Sequence, residues 1–155
     1  MITLNQIVDQ FNNIAVAHKD INSFNFGDIW EIGASGDTKY PQLYAIATPA
    51  SFTERTIQYS FNIITMDRVN TGERGETDTL SDMALVMADF LALLDHPDYE
   101  WDLIKTGSAT PFTESFEDSV TGWNASITLE VPFLYDRCAV PANTITINQS
   151  KTKET

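Results

Sequence analysis

Residues 122–133 read GWNASITLEVPF, and they decide the fold class because apolar and polar side chains alternate along them with a period of two. The apolar set is Trp123, Ala125, Ile127, Leu129 and Val131. The intervening set is Asn124, Ser126, Thr128 and Glu130. This alternation is typical of a strand that packs one face on a core and turns the other to solvent. We therefore predict a half-buried β-strand here.

Further strands are predicted upstream of this segment. Residues 56–66, TIQYSFNIITM, show the same alternation, with Ile57, Tyr59, Phe61 and Ile63 on one side. Shorter strands are expected around residues 24–28, at 43–48 and at 111–117, while residues 101–105 are ambiguous. The Pro49-Ala50-Ser51 stretch is expected to end the strand at 43–48.

Two segments carry helical periodicity instead. Thr3 and Gln6 have the spacing of a capping box, and residues 4 to about 18 follow with an apolar stripe of period 3.6. Asp78 or Thr79 is expected to cap a second helix that ends near Asp95. Between the strand at 56–66 and this helix, residues 67–78 are polar and glycine-containing, which predicts an exposed, mobile loop.

The order of these elements predicts an α+β fold with a largely antiparallel or mixed sheet packed by two amphipathic helices, because strands occur in runs rather than alternating with helices. The length of 155 residues and the hydrophobic content of 43% suit a single domain, assigned to residues 1–141. Residues 142–155 are rich in Asn, Thr, Ser and Lys, and they are expected to form a flexible tail, or an arm that orders on a partner.

Charge and cysteine content restrict the function. With 22 acidic and 9 basic residues the formal net charge is −13, which disfavours adhesion to nucleic-acid phosphates and to anionic membranes. Cys138 is the single cysteine, so no intramolecular disulfide can form, and synthesis in a reducing cytoplasm is expected. Neither a signal peptide nor a membrane-spanning segment is recognised.

The reactive side chains do not suggest an enzyme. The two histidines, His18 and His96, each follow a predicted helix, where an imidazolium complements the carboxyl end. Neither belongs to a metal-binding motif, and the common phosphate-loop, dinucleotide-binding and serine-hydrolase motifs do not occur. We therefore predict no catalytic residues, no metal and no cofactor.

The pattern of elements resembles that of bacteriophage tail-terminator and neck (head-to-tail connector) proteins. The resemblance covers residues 1–141. It is carried by the N-terminal helix, by the loop at 67–78 with the following TLSDM at 79–83, and by the alternating segment at 123–133. The segment DRCAVP at 136–141 is similar to neck or tail proteins of phages of Bacteroidota, including crAss-like phages.

This resemblance implies a virion structural protein made in the host cytoplasm and placed at the neck or tail. Such a subunit forms a homo-oligomeric ring through edge-strand and loop contacts, stacks on portal, adaptor or tail-tube rings, and offers DNA an acidic channel without binding it. The residues expected at its interfaces are Arg68, Glu73, Arg74, Glu76, Phe133, Tyr135 and Arg137, together with the tail.

Two alternatives remain open at this stage. The first is a soluble module that binds a small molecule or peptide in a pocket lined by Trp30, Tyr44, Tyr59 and Trp123. The second is a hydrolase that uses a pair of carboxylates, such as Asp95 with Asp98 or Glu114 with Glu117.

Overall fold

The computed structural model describes residues 2–28, 39–69, 75–115, 119–133 and 141. These residues form two helices and five strands, which confirms the predicted α+β class. In chain order the elements are α1 (Leu4–Ala17), β1 (Ser23–Phe26), β2 (Gln42–Phe52), β3 (Thr56–Arg68), α2 (Gly75–Leu94), β4 (Asp102–Ser115) and β5 (Ser119–Pro132).

The five strands form one mixed sheet with the order β1-β2-β3-β5-β4. Only β1 and β2 run parallel in this sheet of the described chain, and the other neighbours are antiparallel. The two strands with the clearest alternation, β3 and β5, pair at its centre from Thr56↔Pro132 to Arg68↔Val120. Because both strands bury one face, their register is fixed by the apolar pattern.

Both helices cover the same face of the sheet. Phe11 of α1 lies at the centre of this core, with its ring 5.1 Å from that of Phe61 on β3 and 5.6 Å from that of Phe90 on α2. Both contacts are edge-to-face, the arrangement that the aromatic quadrupole favours. Burying each ring contributes about 2–3 kcal/mol, so Phe11 joins α1, α2 and the sheet into one core.

The N-terminal helix agrees with its prediction. Thr3 N–H donates to Gln6 Oε1 at 2.8 Å, and Gln6 N–H donates to Thr3 Oγ1 at 3.3 Å, which completes the capping box. The helix ends at Ala17, one residue before the predicted end.

The second helix begins earlier than predicted. It starts at Gly75 rather than after a cap at Asp78 or Thr79, and Thr79 Oγ1 donates to the Gly75 carbonyl at 2.8 Å. Glu76 and Asp78 therefore lie in its first turn, where acidic side chains complement the helix dipole. Since β3 extends to Arg68, the predicted loop at 67–78 is shorter than expected, and residues 70–74 lie outside the described part.

Two strands are also longer than predicted. β2 does not end at 49–51 but continues to Phe52 through a shift of register between Thr48 and Ser51. An irregularity of this kind accommodates Pro49, which has no N–H to donate. β4 begins at Asp102 rather than at residue 111, and two further shifts of register interrupt the alternation that would have revealed it.

One end of the sheet is buried on both faces. On the face away from the helices a second cluster comprises Tyr44, Ile64, Met66 and Val120, with Tyr40, Ile46 and Phe112 packed against it. On the helix face at the same end, Thr65 is buried and its Oγ1 donates to the Met83 carbonyl at 3.1 Å. This double burial explains the continuous apolar run at 63–64, where the alternation of β3 breaks down.

Candidate interaction surfaces

The sheet face opposite the helices, here called the open face, carries polar side chains along its centre. Pairs of residues opposite each other on β3 and β5 form hydrogen bonds across the strands there. The pairs are Gln58 with Glu130 (2.9 Å), Ser60 with Thr128 (3.0 Å) and Asn62 with Ser126 (3.0 Å). Only Glu130 among these six carries a formal charge. The centre of the open face is thus a preorganised, nearly neutral surface on a strongly anionic chain.

Strand β4 forms an edge of the sheet, and within the described chain no further strand pairs with its outer side. Its 14 residues would make a long template for pairing with another chain. However, its register shifts between Leu103 and Lys105 and again between Thr106 and Ala109, and Pro111 follows. Irregularities and proline are features that protect edges from pairing. The β4 edge is therefore less suited to docking than its length suggests.

The interface residues predicted at the end of β3 and the start of α2 lie at one end of the sheet. Arg68 is exposed, and its guanidinium carbon is 5.2 Å from the centroid of the Tyr40 ring. Glu76 is also exposed, and its Oε1 accepts a hydrogen bond of 2.7 Å from Thr113 Oγ1. Glu76 therefore links α2 to strand β4 within one chain.

Phe133 lies at the opposite end of the sheet. It is half-buried, and its N–H donates to the Arg55 carbonyl at 2.7 Å in the turn between β2 and β3. The 13 residues of β3 place this end roughly 40 Å from Arg68. Arg68, Glu76 and Phe133 thus belong to two separate patches. The remaining predicted interface residues, Glu73, Arg74, Tyr135 and Arg137, lie outside the described residues.

The aromatic residues proposed for a binding pocket do not converge. Tyr44 is buried on the open face, and its hydroxyl donates to the Asp28 carbonyl at 3.0 Å. Tyr59 and Trp123 are on the helix face, where Trp123 Nε1 donates to the Leu80 carbonyl at 2.8 Å. A sheet therefore separates Tyr44 from the other two, so the three do not line a common pocket. Trp30 lies outside the described residues.

The histidines make contacts beyond the helix ends that were predicted for them. His18 caps α1, but its ring contacts Asp89 of α2, with Nε2 2.8 Å from Asp89 Oδ2. The Asp20 N–H donates to Nδ1 of the same ring at 3.1 Å, which leaves Nε2 to carry the hydrogen towards Asp89. His18 therefore connects the two helices. The ring of His96 accepts from the Asp98 N–H at 3.1 Å and stabilises the turn after α2.

A groove runs between α2 and the segment that links α1 to β1. It has a volume of about 440 Å³, and its lining includes the apolar side chains of Pro41, Leu85 and Val86. Carboxylates also line it, namely Asp20, Asp67, Asp82 and Asp89, and Lys19 is the single cation among the described lining residues. The groove thus combines apolar walls with strongly negative charge.

This environment perturbs the carboxyl group of Asp67. Burial raises the pKa of its carboxyl, and the nearby Asp82 carboxylate raises it further. The Arg68 N–H, which donates to Asp67 Oδ1 at 2.8 Å, and the Arg68 charge act in the opposite direction without cancelling these effects. The ionised form of Asp67 is therefore incompletely compensated within the folded chain.

Sequence reasoning did not identify this surface, although α2 contains a signal for it. Leu85 is 64% exposed and Leu93 is 45% exposed on one flank of the helix. A helix that covers a core normally has polar residues outside the stripe that faces the core. The apolar residues of the helix extend beyond the set that faces the core, and Leu85 and Leu93 belong to this excess.

Of the two candidate acidic pairs, the structure describes the side chains of one, and both of its carboxylates are exposed to solvent. Asp95 and Asp98 are both exposed in the turn after α2, and Asp98 Oδ2 lies 3.6 Å from His96 Nδ1. The side chains of Glu114 and Glu117 lie outside the described part. Among the side chains that the structure describes, no three of His, Cys, Asp or Glu converge as metal ligands.

Comparisons with known proteins give no family assignment. No protein-family model matches the chain, and a search of curated proteins gave no significant match. In the described residues, neither helix has the length and apolarity needed to cross a bilayer.

Proposed function

We propose that this protein is a structural subunit that assembles with copies of itself into a ring at the neck or tail junction of a bacteriophage virion. It acts as a tail terminator or head-to-tail connector, it needs no cofactor, and it stacks on portal, adaptor or tail-tube rings. The motif resemblance described above suggests this role, and the charge distribution on the sheet supports it.

The observation that carries the proposal is the near-neutral centre of the open face. Two copies with a charge of −13 each repel one another, so a stable contact between them requires a surface with few carboxylates. The hydrogen-bonded Ser, Thr, Asn and Gln side chains of β3 and β5 provide such a surface. These side chains hold each other in place, so their ordering costs little entropy on association.

Ring closure requires heterologous contacts, in which two different patches of each subunit meet. The separation of Arg68 and Glu76 from Phe133 by the length of β3 fits this requirement, because each end can face a different neighbour. The irregular edge of β4 favours contact through the open face over extension of the sheet from one subunit to the next. The acidic balance of the chain is compatible with DNA passing through the ring without adhering.

The test is the assembly state of the protein in solution, measured by size-exclusion chromatography with light scattering at 150 mM salt. The wild type should form a discrete ring-sized oligomer. Ser126→Glu places a carboxylate at the exposed centre of the open face and should shift the population to monomers. Asn12→Glu adds the same charge on the exposed side of α1 and serves as the matched control, which should assemble like the wild type.

Circular dichroism spectra should be the same for all three proteins. A wild type that stays monomeric at every concentration tested, both alone and mixed with portal and tail-tube rings, would exclude the ring. Assembly of Ser126→Glu at wild-type strength would exclude the open face as its contact.

A further inference from the structure

One flank of α2, beside the side that faces the core, forms an exposed stripe of acidic and apolar residues. Its members are Asp78, Asp82, Leu85, Asp89 and Leu93. At 3.6 residues per turn these five positions fall within an arc of about 80°. All five residues are exposed, whereas Thr79, Met83, Val86, Phe90 and Leu94, whose positions are centred about 100° further around the helix, are buried in the core.

The groove described above lies beside the middle of this stripe. Leu85, Asp82 and Asp89 belong to both, so the stripe and the groove form one continuous surface. Leu85 and the half-buried Pro41 offer it apolar contact area, and a leucine-sized side chain buried there would remove exposed hydrocarbon from water. An exposed apolar surface rimmed by polar groups is typical of a site of protein–protein interaction.

The charges on this surface select the partner. Helix α2 contains four acidic residues and neither lysine nor arginine. A second copy docking α2 against α2 would therefore place carboxylates against carboxylates. DNA, RNA and anionic membranes carry the same sign of charge and are disfavoured for the same reason. A partner with both apolar and basic side chains complements the surface.

Asp67 gives independent support for a cationic occupant. Its carboxylate is partly desolvated where it lines the groove, and burial and the neighbouring Asp82 raise its pKa. A guanidinium or ammonium group entering the groove would supply the compensation that this carboxylate lacks in the free chain.

We propose that this flank of α2 and the adjoining groove form the docking site for a basic amphipathic helix of another protein. Leucine-like residues of that helix pack on Leu85 and Leu93, basic residues three or four positions away reach Asp82 and Asp89, and one arginine or lysine enters the groove towards Asp67. This site goes beyond the ring contact and does not depend on it, because it lies on the other side of the sheet.

The proposal can be tested with a 14-residue helical peptide of leucine and lysine as the probe, titrated into the full-length protein by isothermal calorimetry at 150 mM salt. The double variant Asp82→Asn/Leu85→Ser removes one carboxylate and one apolar side chain from the proposed site. Phe52→Ser/Glu54→Gln removes the same chemistry from the distant end of β2 and the turn that follows it, where both residues are exposed. All four positions are exposed, so both variants should fold.

Wild type and the Phe52/Glu54 variant should bind the peptide equally, and the Asp82/Leu85 variant should bind about tenfold more weakly. A leucine–glutamate peptide should not bind. Equal weakening in both variants would show unspecific attraction between opposite charges and would overturn the proposal, as would failure of the wild type to bind. Loss of self-assembly in the Asp82/Leu85 variant would assign this face to a second copy and would also overturn it.

Discussion

Replacing Gly122 by alanine should be the most damaging single-methyl substitution on β5. Gly122 is buried opposite Met66, where its α-carbon faces the backbone of β3. A Cβ atom at this position would lie 1.8 Å from the Thr65 carbonyl oxygen and 2.9 Å from Met66 Cα. Both are backbone atoms, so no rotation of a side chain can relieve the clash. One of the two central strands must move by more than an ångström.

The cost can be estimated from two contributions. Forcing extra volume into a packed core costs about 1–3 kcal/mol. Displacing the strands at this point also weakens roughly two ladder hydrogen bonds, at about 1 kcal/mol each. Gly122→Ala should therefore lower the free energy of unfolding by about 3–5 kcal/mol, a large part of the ~5–15 kcal/mol of a typical domain.

Urea unfolding followed by circular dichroism measures this loss. The urea concentration at the midpoint should fall, while the dependence of the free energy of unfolding on urea concentration stays the same. Ser126→Ala is the matched control, because it changes an exposed position on the same strand and the same face. It removes one exposed hydrogen bond to Asn62 and should cost less than about 1 kcal/mol. If the free energy of unfolding of Gly122→Ala is within about 1 kcal/mol of the wild-type value, the placement of Gly122 against the backbone of β3 is wrong.

Two further predictions concern single residues. Asp67→Asn keeps an acceptor for the Arg68 N–H and removes a carboxylate whose folded pKa lies above its ordinary value of 3.8. The ionised carboxylate penalises the fold above that folded pKa, and the penalty vanishes as pH falls below the unfolded value. Asp67→Asn should therefore be more stable than the wild type in urea at pH 7, with the advantage shrinking towards pH ~4; an advantage independent of pH would contradict this. Trp101→Phe removes the indole N–H that donates to the Leu94 carbonyl at 3.1 Å at the end of α2, and it should lower the free energy of unfolding by about 2–4 kcal/mol. Thermal unfolding monitored at 222 nm would detect this loss, and a melting temperature equal to that of the wild type would argue against a structural role for the bond.

The helices and central strands were predictable because their sequence patterns are local. The capping box of Thr3 and Gln6 and the alternation of β3 and β5 each depend on residues close in sequence. The early start of α2 and the length of β4 were not predicted, because they depend on contacts made after folding. The bond between Glu76 and Thr113 and the shifts of register along β4 are examples.

Each candidate surface likewise has one property that the sequence indicates and another that depends on folding. The polar half of β5 indicates a face with a single charged residue, Glu130, but this face becomes part of a continuous surface only when β3 pairs with β5 residue by residue. The exposed stripe of α2 is present in the sequence as an excess of apolar residues. The local sequence does not distinguish a leucine that faces the core from one that is exposed. Leu94 and Leu93 are neighbours in sequence, and the first is buried while the second is 45% exposed.

The sequence by itself therefore determined the class of fold, the central strands, the first helix and the strongly negative charge, because each follows from composition or from periodicity within a single element. The tertiary structure decided which side of α2 meets the core, which carboxylates meet around Asp67, and that Tyr44 lies on the opposite face of the sheet from Trp123. These are relations between elements distant in sequence, and they are set by the packing of the two helices on one face of the sheet.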